Sequence, residues 1–250
     1  MKIAIVTGGS RGLGKSMCLH LAAKGHDVVL TYHRKKDDAE DVCAQIGKAG
    51  RKAVALQLDA GDPKTFGAFV ENVRRALQEK WQRSDFDFLI NNAGMGFYAP
   101  FMETSEEQFD QLMNVHLKAP FFLTQKLLPL MKDGGRIVNI SSGLARFSLP
   151  GYSAYAAMKG GVEVLSRFMA KELGPRKIAV NVIAPGAIET DFGGGAVRDN
   201  KEINRMIASS TALGRVGLPD DVGGAVAALL SDDSQWVNGQ RIEVAGGIFL

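Results

Sequence analysis

Residues 7–16, Thr-Gly-Gly-Ser-Arg-Gly-Leu-Gly-Lys-Ser, constrain the fold more than any other stretch of the chain. An apolar β-branched run, Lys2–Thr7, leads into them, and an apolar helical pattern, Leu13–Lys24, leads out. Gly8, Gly12 and Gly14 let the backbone turn sharply between the two. The stretch satisfies three patterns at once. Gly9–Ser16 reads G-x-x-x-x-G-K-S, a phosphate-cradling P-loop. Gly8–Gly12 reads G-x-S-x-G, a nucleophile elbow. Gly8, Gly12 and Gly14 together read as a dinucleotide-binding turn, although not in G-x-G-x-x-G spacing. Each pattern demands a strand, a tight turn and a helix, so the local structure is settled while the chemistry stays open.

Short β-branched runs recur at 27–32, 52–58, 86–91, 136–141, 178–183 and 240–244, separated by longer helical patterns. Most are continuously apolar, as strands buried on both faces of a parallel sheet must be. Asp62-Pro63 predicts a capped helix start with proline at the first position. Ser105-Glu-Glu-Gln108 predicts a capping box. Strands alternating with helices, without repeat or linker, imply an α/β fold: one doubly wound Rossmann-type domain, residues 1–250, on a mostly parallel seven-stranded sheet. A net charge of +3, with no basic cluster beyond His33-Arg34-Lys35-Lys36, offers no footprint for nucleic acid or an anionic membrane. No apolar run approaches the ~20 residues of a membrane span, and the N-terminal run breaks too early for a secretory signal. Cys18 and Cys43 make no disulfide framework and read as packing residues. The expected compartment is the cytoplasm, and no metal site is assigned.

In doubly wound sheets ligands sit beyond the carboxyl ends of the strands. Those ends carry Thr7–Gly14, Tyr32–Arg34, Asp59–Ala60, Asn91–Gly94, Ser141–Ser142 and Pro185–Thr190, every one with polar, glycine or proline residues. Together they read as a binding rim. An elbow serine would need a histidine base late in the chain, yet His116 is the last histidine. A P-loop would need a metal-binding acid; Asp59 could serve, but no water-positioning motif follows. The third reading finds a partner in Tyr155-Ala-Ala-Met-Lys159. At i and i+4 the phenol and the ammonium share one helix face. A nearby ammonium favours phenolate and lowers a pKa that starts near ~10. A tyrosine so tuned can give or take a proton. Tyr32 and Lys36 show the same spacing; what singles out Tyr155 is that it opens a helix soon after Ser141-Ser142.

With Thr7-Gly8-x-x-x-Gly12-x-Gly14, Asn91-Asn92-Ala93-Gly94, Asn114, Ser142, Tyr155-x-x-x-Lys159 and Pro185-Gly186 in order, the chain resembles the short-chain dehydrogenase/reductase family along essentially its whole length. The branch it most resembles holds the 3-oxoacyl-carrier-protein reductases and related ketoreductases. That resemblance implies hydride transfer between a nicotinamide and a carbon bearing oxygen. In reduction Tyr155 would protonate the developing alkoxide, Ser142 would hydrogen-bond the substrate oxygen, Lys159 would depress the tyrosine pKa and hold the nicotinamide ribose, and Asn114 would position a water linking Lys159 to solvent. Gly8, Ser10, Gly12, Leu13 and Gly14 would cradle the pyrophosphate. Asn92 with Gly94 would meet the adenosine ribose, while Asn91 braces the sheet. Asp59 and Ala60 would take the adenine. Pro185, Gly186, Ile188 and Thr190 would meet the nicotinamide carboxamide.

An NAD-specific site carries an acid at the end of the second strand to bind the 2′-hydroxyl. Here Thr31-Tyr32-His33-Arg34 carries none, and Arg11 lies close by in the glycine turn. Arg11, Arg34 and His33 suit the extra phosphate of NADP, so NADPH is expected over NADH. Met95, Phe97, Tyr98, Leu144, Phe147, Tyr152 and Phe192 are the expected pocket wall, suited to a non-ionic ketone or an acyl thioester; Arg146 reads as a solvated loop residue. Met131–Gly135 is less basic than an acidic carrier protein would favour. Residues 191–211 are expected to form a substrate lid hinged at Gly193–Gly195. The apolar end Ile248-Phe-Leu250 is expected to pack on a partner, and the resemblance implies a homotetramer. The alternatives are an NADP-binding regulatory or redox-sensing module without turnover, and a P-loop nucleotide hydrolase.

Overall fold

In a computed structural model describing residues 1–250, seven parallel strands make one sheet in the order β3-β2-β1-β4-β5-β6-β7. They are β1 Ile3–Val6, β2 Asp27–Tyr32, β3 Ala53–Gln57, β4 Phe86–Asn91, β5 Met131–Ile140, β6 Ala179–Pro185 and β7 Arg241–Val244. Every strand expected from the sequence is present, with ends shifted by a residue or two. β5 is the exception: it begins at Met131, and its register against β4 jumps between Phe86 and Phe88 while Lys132–Gly135 loops out. Gly134 has φ +80°, which suits that bulge.

The helices are α1 Gly12–Ala23, α2 Lys36–Lys48, α3 Phe66–Trp81, α4 Glu106–Met113, α5 Ala119–Leu127, α6 Ser153–Glu172, α7 Ala196–Asp199, α8 Lys201–Ser209 and α9 Pro219–Leu229. Alternate residues of each strand face opposite sides of the sheet. Ala4 and Val6 join Met17, Leu21, Val42, Ile46, Val222 and Val226 under α1, α2 and α9. Ile3 and Ile5 join Phe66, Val73, Leu77, Leu123 and Leu127 under α3 and α5 on the other face. Asp62 caps a 3₁₀ turn, Pro63–Thr65, that runs into α3, and Ser105 and Gln108 form the reciprocal capping box of α4. No helix is long and apolar enough to cross a membrane.

The chain winds from β1 outward to β2 and β3, then returns to place β4 on the other side of β1. A crevice therefore opens at the carboxyl ends of β1 and β4. The glycine turn fills its floor. Gly8 has φ +66° and Gly12 φ +53°, conformations that a side chain would strain. Gly14 answers a different demand: a Cβ there would stand 2.0 Å from the Gly8 carbonyl oxygen and 2.6 Å from Asn92 Nδ2. The turn and the first helix can meet so closely only where the side chain is missing. Gly14→Ala is expected to cost at least ~1–3 kcal/mol of stability by overpacking. Gly47→Ala, in open space on α2, should instead add up to ~1 kcal/mol through helix propensity. Urea unfolding checks both, and equal losses would refute the steric account.

Candidate active site

All six strand ends singled out from the sequence contribute residues to one cavity of about 1410 Å³. Its inner end is the glycine turn. Arg11, at the N-cap of α1, caps nothing with its side chain, and no acid lies in the first turn. The first backbone N–H groups of α1 are thus left for an anion, and the helix dipole favours one there. The turn is held from behind: Thr7 Oγ1 accepts from the N–H groups of Asn92 and Ala93 at 2.9 Å, and Gly8 N–H donates to Thr31 Oγ1 at 3.0 Å. Ser16 cannot serve as a P-loop metal ligand. It is buried, and its hydroxyl donates to Asp220 on α9 at 2.6 Å.

Several expected cofactor contacts have other partners. Asn92 Nδ2 donates to the carbonyls of Thr7 (2.9 Å) and Gly8 (3.1 Å), so its amide braces the turn and only Oδ1 is left for a ribose. Asp59 accepts from Gly61 N–H at 2.8 Å and lies 3.3 Å from His33 Nε2. Arg11 faces Asp191 at 3.3 Å, and Arg198 also bonds Asp191. Arg34 remains on the cavity wall without an ion pair. Exposed pairs such as Arg11–Asp191 are worth ~0–1 kcal/mol and yield easily to a doubly charged phosphate. Three acids line the cavity: Asp59 beside His33, Asp62 capping the turn before α3, and Asp191 beside Arg11 and Arg198. The glycine turn, the uncapped helix start and the unpaired Arg34 fit a dinucleotide with that phosphate.

The middle of the cavity holds the ionisable groups. Tyr155 and Lys159 rise from the first turns of α6, and Ser142 follows β5. Ser142 Oγ accepts from Leu144 N–H at 3.2 Å, which leaves its hydroxyl proton free. Lys159 Nζ donates to the Ile140 carbonyl at 2.6 Å and lies 5.5 Å from the Tyr155 ring centre. Burial pushes the Tyr155 phenol up from its ordinary value, the Ser142 hydroxyl beside it pulling the other way. Burial lowers Lys159 from 10.5 to about 7. The net direction is opposite to the lowering expected from the lysine: in a dry site the loss of phenolate hydration is the largest influence on the phenol. Asn114 opens a π-helical turn, Asn114–Lys118, that joins α4 to α5, and its buried Oδ1 has no partner on the protein. Asn91 donates to Asn139 Oδ1 (2.8 Å) and Thr124 Oγ1 (3.0 Å), bracing the sheet as expected.

Behind Ser142 an unforeseen charge ladder ties the last strand to this loop. Glu163 accepts from Ser141 Oγ at 2.6 Å and pairs with Arg241 at 2.7 Å. Arg241 pairs with Glu243 at 2.9 Å and donates to the Ser142 carbonyl at 3.3 Å. Glu243 takes Arg146 at 2.7 Å, so that arginine is held outside the cavity.

The outer end is apolar. Met95, Leu144, Phe147, Tyr152 and Phe192 line it as expected, but Phe97 and Tyr98 do not. Tyr98 packs instead on Gly151 and edge-on to Tyr152. Met206 and Ile207, within the expected lid 191–211, also line it, while sequence reasoning missed Leu149, Ile248 and Phe249. Of the chain end expected to pack on a partner, Leu250 stays exposed, while Ile248 and Phe249 also pack on their own chain. Here Ile248 pairs with Thr211, Phe249 N–H donates to Ser210 O at 3.0 Å, and the Phe249 ring meets Phe147 at 4.8 Å. Glycine pairs with positive φ at Gly246 and Gly247 fold it back. His116 was also missed; it is buried, stands edge-on to Tyr155 and lines the cavity. Its place two residues past Asn114 carried no motif that could have flagged it.

The family model described as enoyl-(acyl carrier protein) reductase matches residues 8–248. A hydroxynaphthalene reductase-like protein, Arp2, of Metarhizium brunneum (strain ARSEF 3297) is 37% identical over 98% of this chain and 94% of its own. Among solved structures, the promiscuous reductase LugOII, described as catalysing keto-reduction at C1 during lugdunomycin biosynthesis, superposes with a TM-score of 0.95 at 37% identity, over 100% of this chain and 98% of that one. The angucycline C-6 ketoreductase LanV with bound NADP gives 0.94 at 35% identity, over 99% and 95%. A match over nearly the whole length, with the Ser142, Tyr155 and Lys159 side chains gathered beside a glycine turn, places the chain in the short-chain dehydrogenase/reductase family.

Proposed function

We propose that the protein is an NADPH-dependent ketoreductase that converts a planar, apolar aromatic ketone to a secondary alcohol. The observation that carries this reading is one cavity with an anion-accepting glycine turn at one end, Ser142, Tyr155 and Lys159 in the middle, and an aromatic wall at the other. Its kin named for reducing hydroxynaphthalenes and an angucycline ketone support an aromatic substrate over a 3-oxoacyl thioester. So does the outer wall, which offers Phe147, Tyr152, Phe192 and Phe249 but no cation for a phosphate-bearing carrier.

Gly8, Gly12 and the start of α1 would hold the pyrophosphate, Arg34 the 2′-phosphate, and Pro185, Gly186, Ile188 and Thr190 the nicotinamide amide. Bound there, the nicotinamide supplies the hydride. The protein's part is to hold the ketone oxygen and protonate it. Ser142 turns its free hydroxyl proton to that oxygen, placing a donor where negative charge grows. Burial keeps Tyr155 protonated at neutral pH, so the phenol is in its donor form when the alkoxide develops. Lys159 has used one N–H on Ile140, leaving others for the ribose and for a water on Asn114 Oδ1. With a pKa near 7 it can give up and regain a proton in each turnover, restoring the phenol. Residues 191–211 act as the lid: Phe192 lies over Tyr155 at 5.7 Å between ring centres and pivots on Gly193–Gly195, all with positive φ. The protein assembles as a homotetramer; exposed Phe109, Phe121, Phe122 and Phe168 on α4, α5 and α6 supply apolar surface for it.

The test is NADPH oxidation against hydroxynaphthalenone and other polycyclic ketones, with NADH and Mg-ATP as controls. Tyr155→Phe should lower kcat by at least ~10³-fold while NADPH still binds by fluorescence titration. Turnover retained in that variant would remove Tyr155 from the role of acid. A binding module would take up NADPH and oxidise none; a P-loop hydrolase would consume ATP.

Lys159 gives a second check, on stability. Its folded pKa lies below its unfolded one, so its burial penalty is present in full below about pH 7 and disappears as pH rises towards 10.5. Lys159→Met should therefore raise the unfolding midpoint at pH 6, and raise it less at pH 9, while abolishing turnover. A midpoint lowered at both pH values would contradict the buried cation.

A further inference from the structure

Tyr155 must bring its hydroxyl within hydrogen-bond reach of a substrate oxygen, and its ring is held between two unlike neighbours. On one side stands Phe192, half exposed and followed by three glycines with positive φ. That side yields. On the other stands His116, 2% exposed, at 5.1 Å between ring centres and 87° between planes. That side is rigid, and three features make it so.

His116 lies within the π-helical turn Asn114–Lys118, where an extra residue per turn pushes the side chain towards α6. Its Nε2 is 2.6 Å from the Met95 carbonyl oxygen, and the Met95 N–H also points at it from 3.3 Å; the shorter contact governs the tautomer. A nitrogen lone pair facing an oxygen at 2.6 Å would repel it, so Nε2 carries the proton and donates to Met95 O. The ring also rests on bare backbone: a Cβ on Gly94 would approach His116 Cε1 to 3.0 Å. The imidazole therefore pins the segment Gly94–Met95, which forms the cavity wall after β4, against the bulged helix and the face of Tyr155.

A leucine would pack here without the desolvation of two ring nitrogens, and Nδ1 has no partner on the protein. Retaining a histidine in so dry a place needs a reason other than packing. Resting on the ketoreductase reading of the site, we propose that His116 is a positioning residue for the proton donor: through its Nε2–H bond to Met95 and its edge contact with Tyr155 it fixes where the phenol hydroxyl points. Burial and the Lys159 cation hold its pKa down at about 3, so the ring stays neutral throughout the working range.

Three variants separate position from packing. His116→Gln can still present an Nε2 donor to the Met95 carbonyl; His116→Asn, being shorter, and His116→Leu cannot. Each is measured with NADPH and an aromatic ketone that the native enzyme reduces, reading kcat, ketone KM, NADPH Kd by fluorescence, and the unfolding midpoint. The expected result is kcat lowered about tenfold or more in the Asn and Leu variants, with KM and Kd within about threefold of native, and kcat largely restored in the Gln variant. Native-like kcat in the Asn or Leu variant, or a Gln variant as slow as the Asn variant, overturns the proposal. If the Leu variant does not fold, the Asn–Gln pair carries the same contrast. A native protein that reduces no ketone overturns the ketoreductase reading, and this inference with it; the variant ratios among active proteins bear on His116 alone.

Discussion

Where α1 leaves the glycine turn, Gly14 meets the Gly8 carbonyl with no room for a methyl group. Much follows from that contact. It aims the first N–H groups of α1 into the crevice, and Asn92 secures it by taking the Thr7 and Gly8 carbonyls. Asn92 follows β4, whose partner β5 leads to Ser142. The phosphate end, after β1, and the proton-transfer end, after β5, are thus set on one sheet with only β4 between them. Their spacing is a property of the sheet register, not of flexible loops.

The second governing feature is dryness. Tyr155 and Lys159 are both nearly sealed from water, and burial moves their pKa values in opposite directions: the phenol up, the ammonium down. Pairing a tyrosine with a lysine is commonly understood as activation by the positive charge. Here the larger effect is desolvation, and it favours neutral forms of both groups. For reduction this is useful, since the acid has to arrive protonated. His116, neutral and buried beside them, belongs to the same dry cluster.

Much of this was legible in the residues. Continuous apolar runs exposed the seven strands, because strands covered on both faces have no polar side to show. The strand-end positions fell on one cavity because parallel winding brings all carboxyl ends to one edge. What could not be read was the partner of each polar group. Asn92 and His33 look like ligand contacts by position, yet their hydrogen-bonding atoms face Thr7 and Asp59. The sign of the tyrosine shift needed burial, which spacing does not encode. The outer wall needed tertiary contacts between segments far apart in sequence, such as Phe147 and Phe249. The folded-back tail depends on left-handed glycines at Gly246 and Gly247, whose conformation is not dictated by composition.

In the proposed reaction this cavity carries hydride directly to a ketone carbon while Tyr155 supplies the proton. Turnover with NADPH deuterated at the transferable C4 position, with the product examined by mass spectrometry and NMR, reads this out. One deuterium is expected, located on the carbinol carbon, with a hydroxyl proton drawn from solvent. Product without deuterium at that carbon, or deuterium on a neighbouring carbon as after alkene reduction, would contradict it.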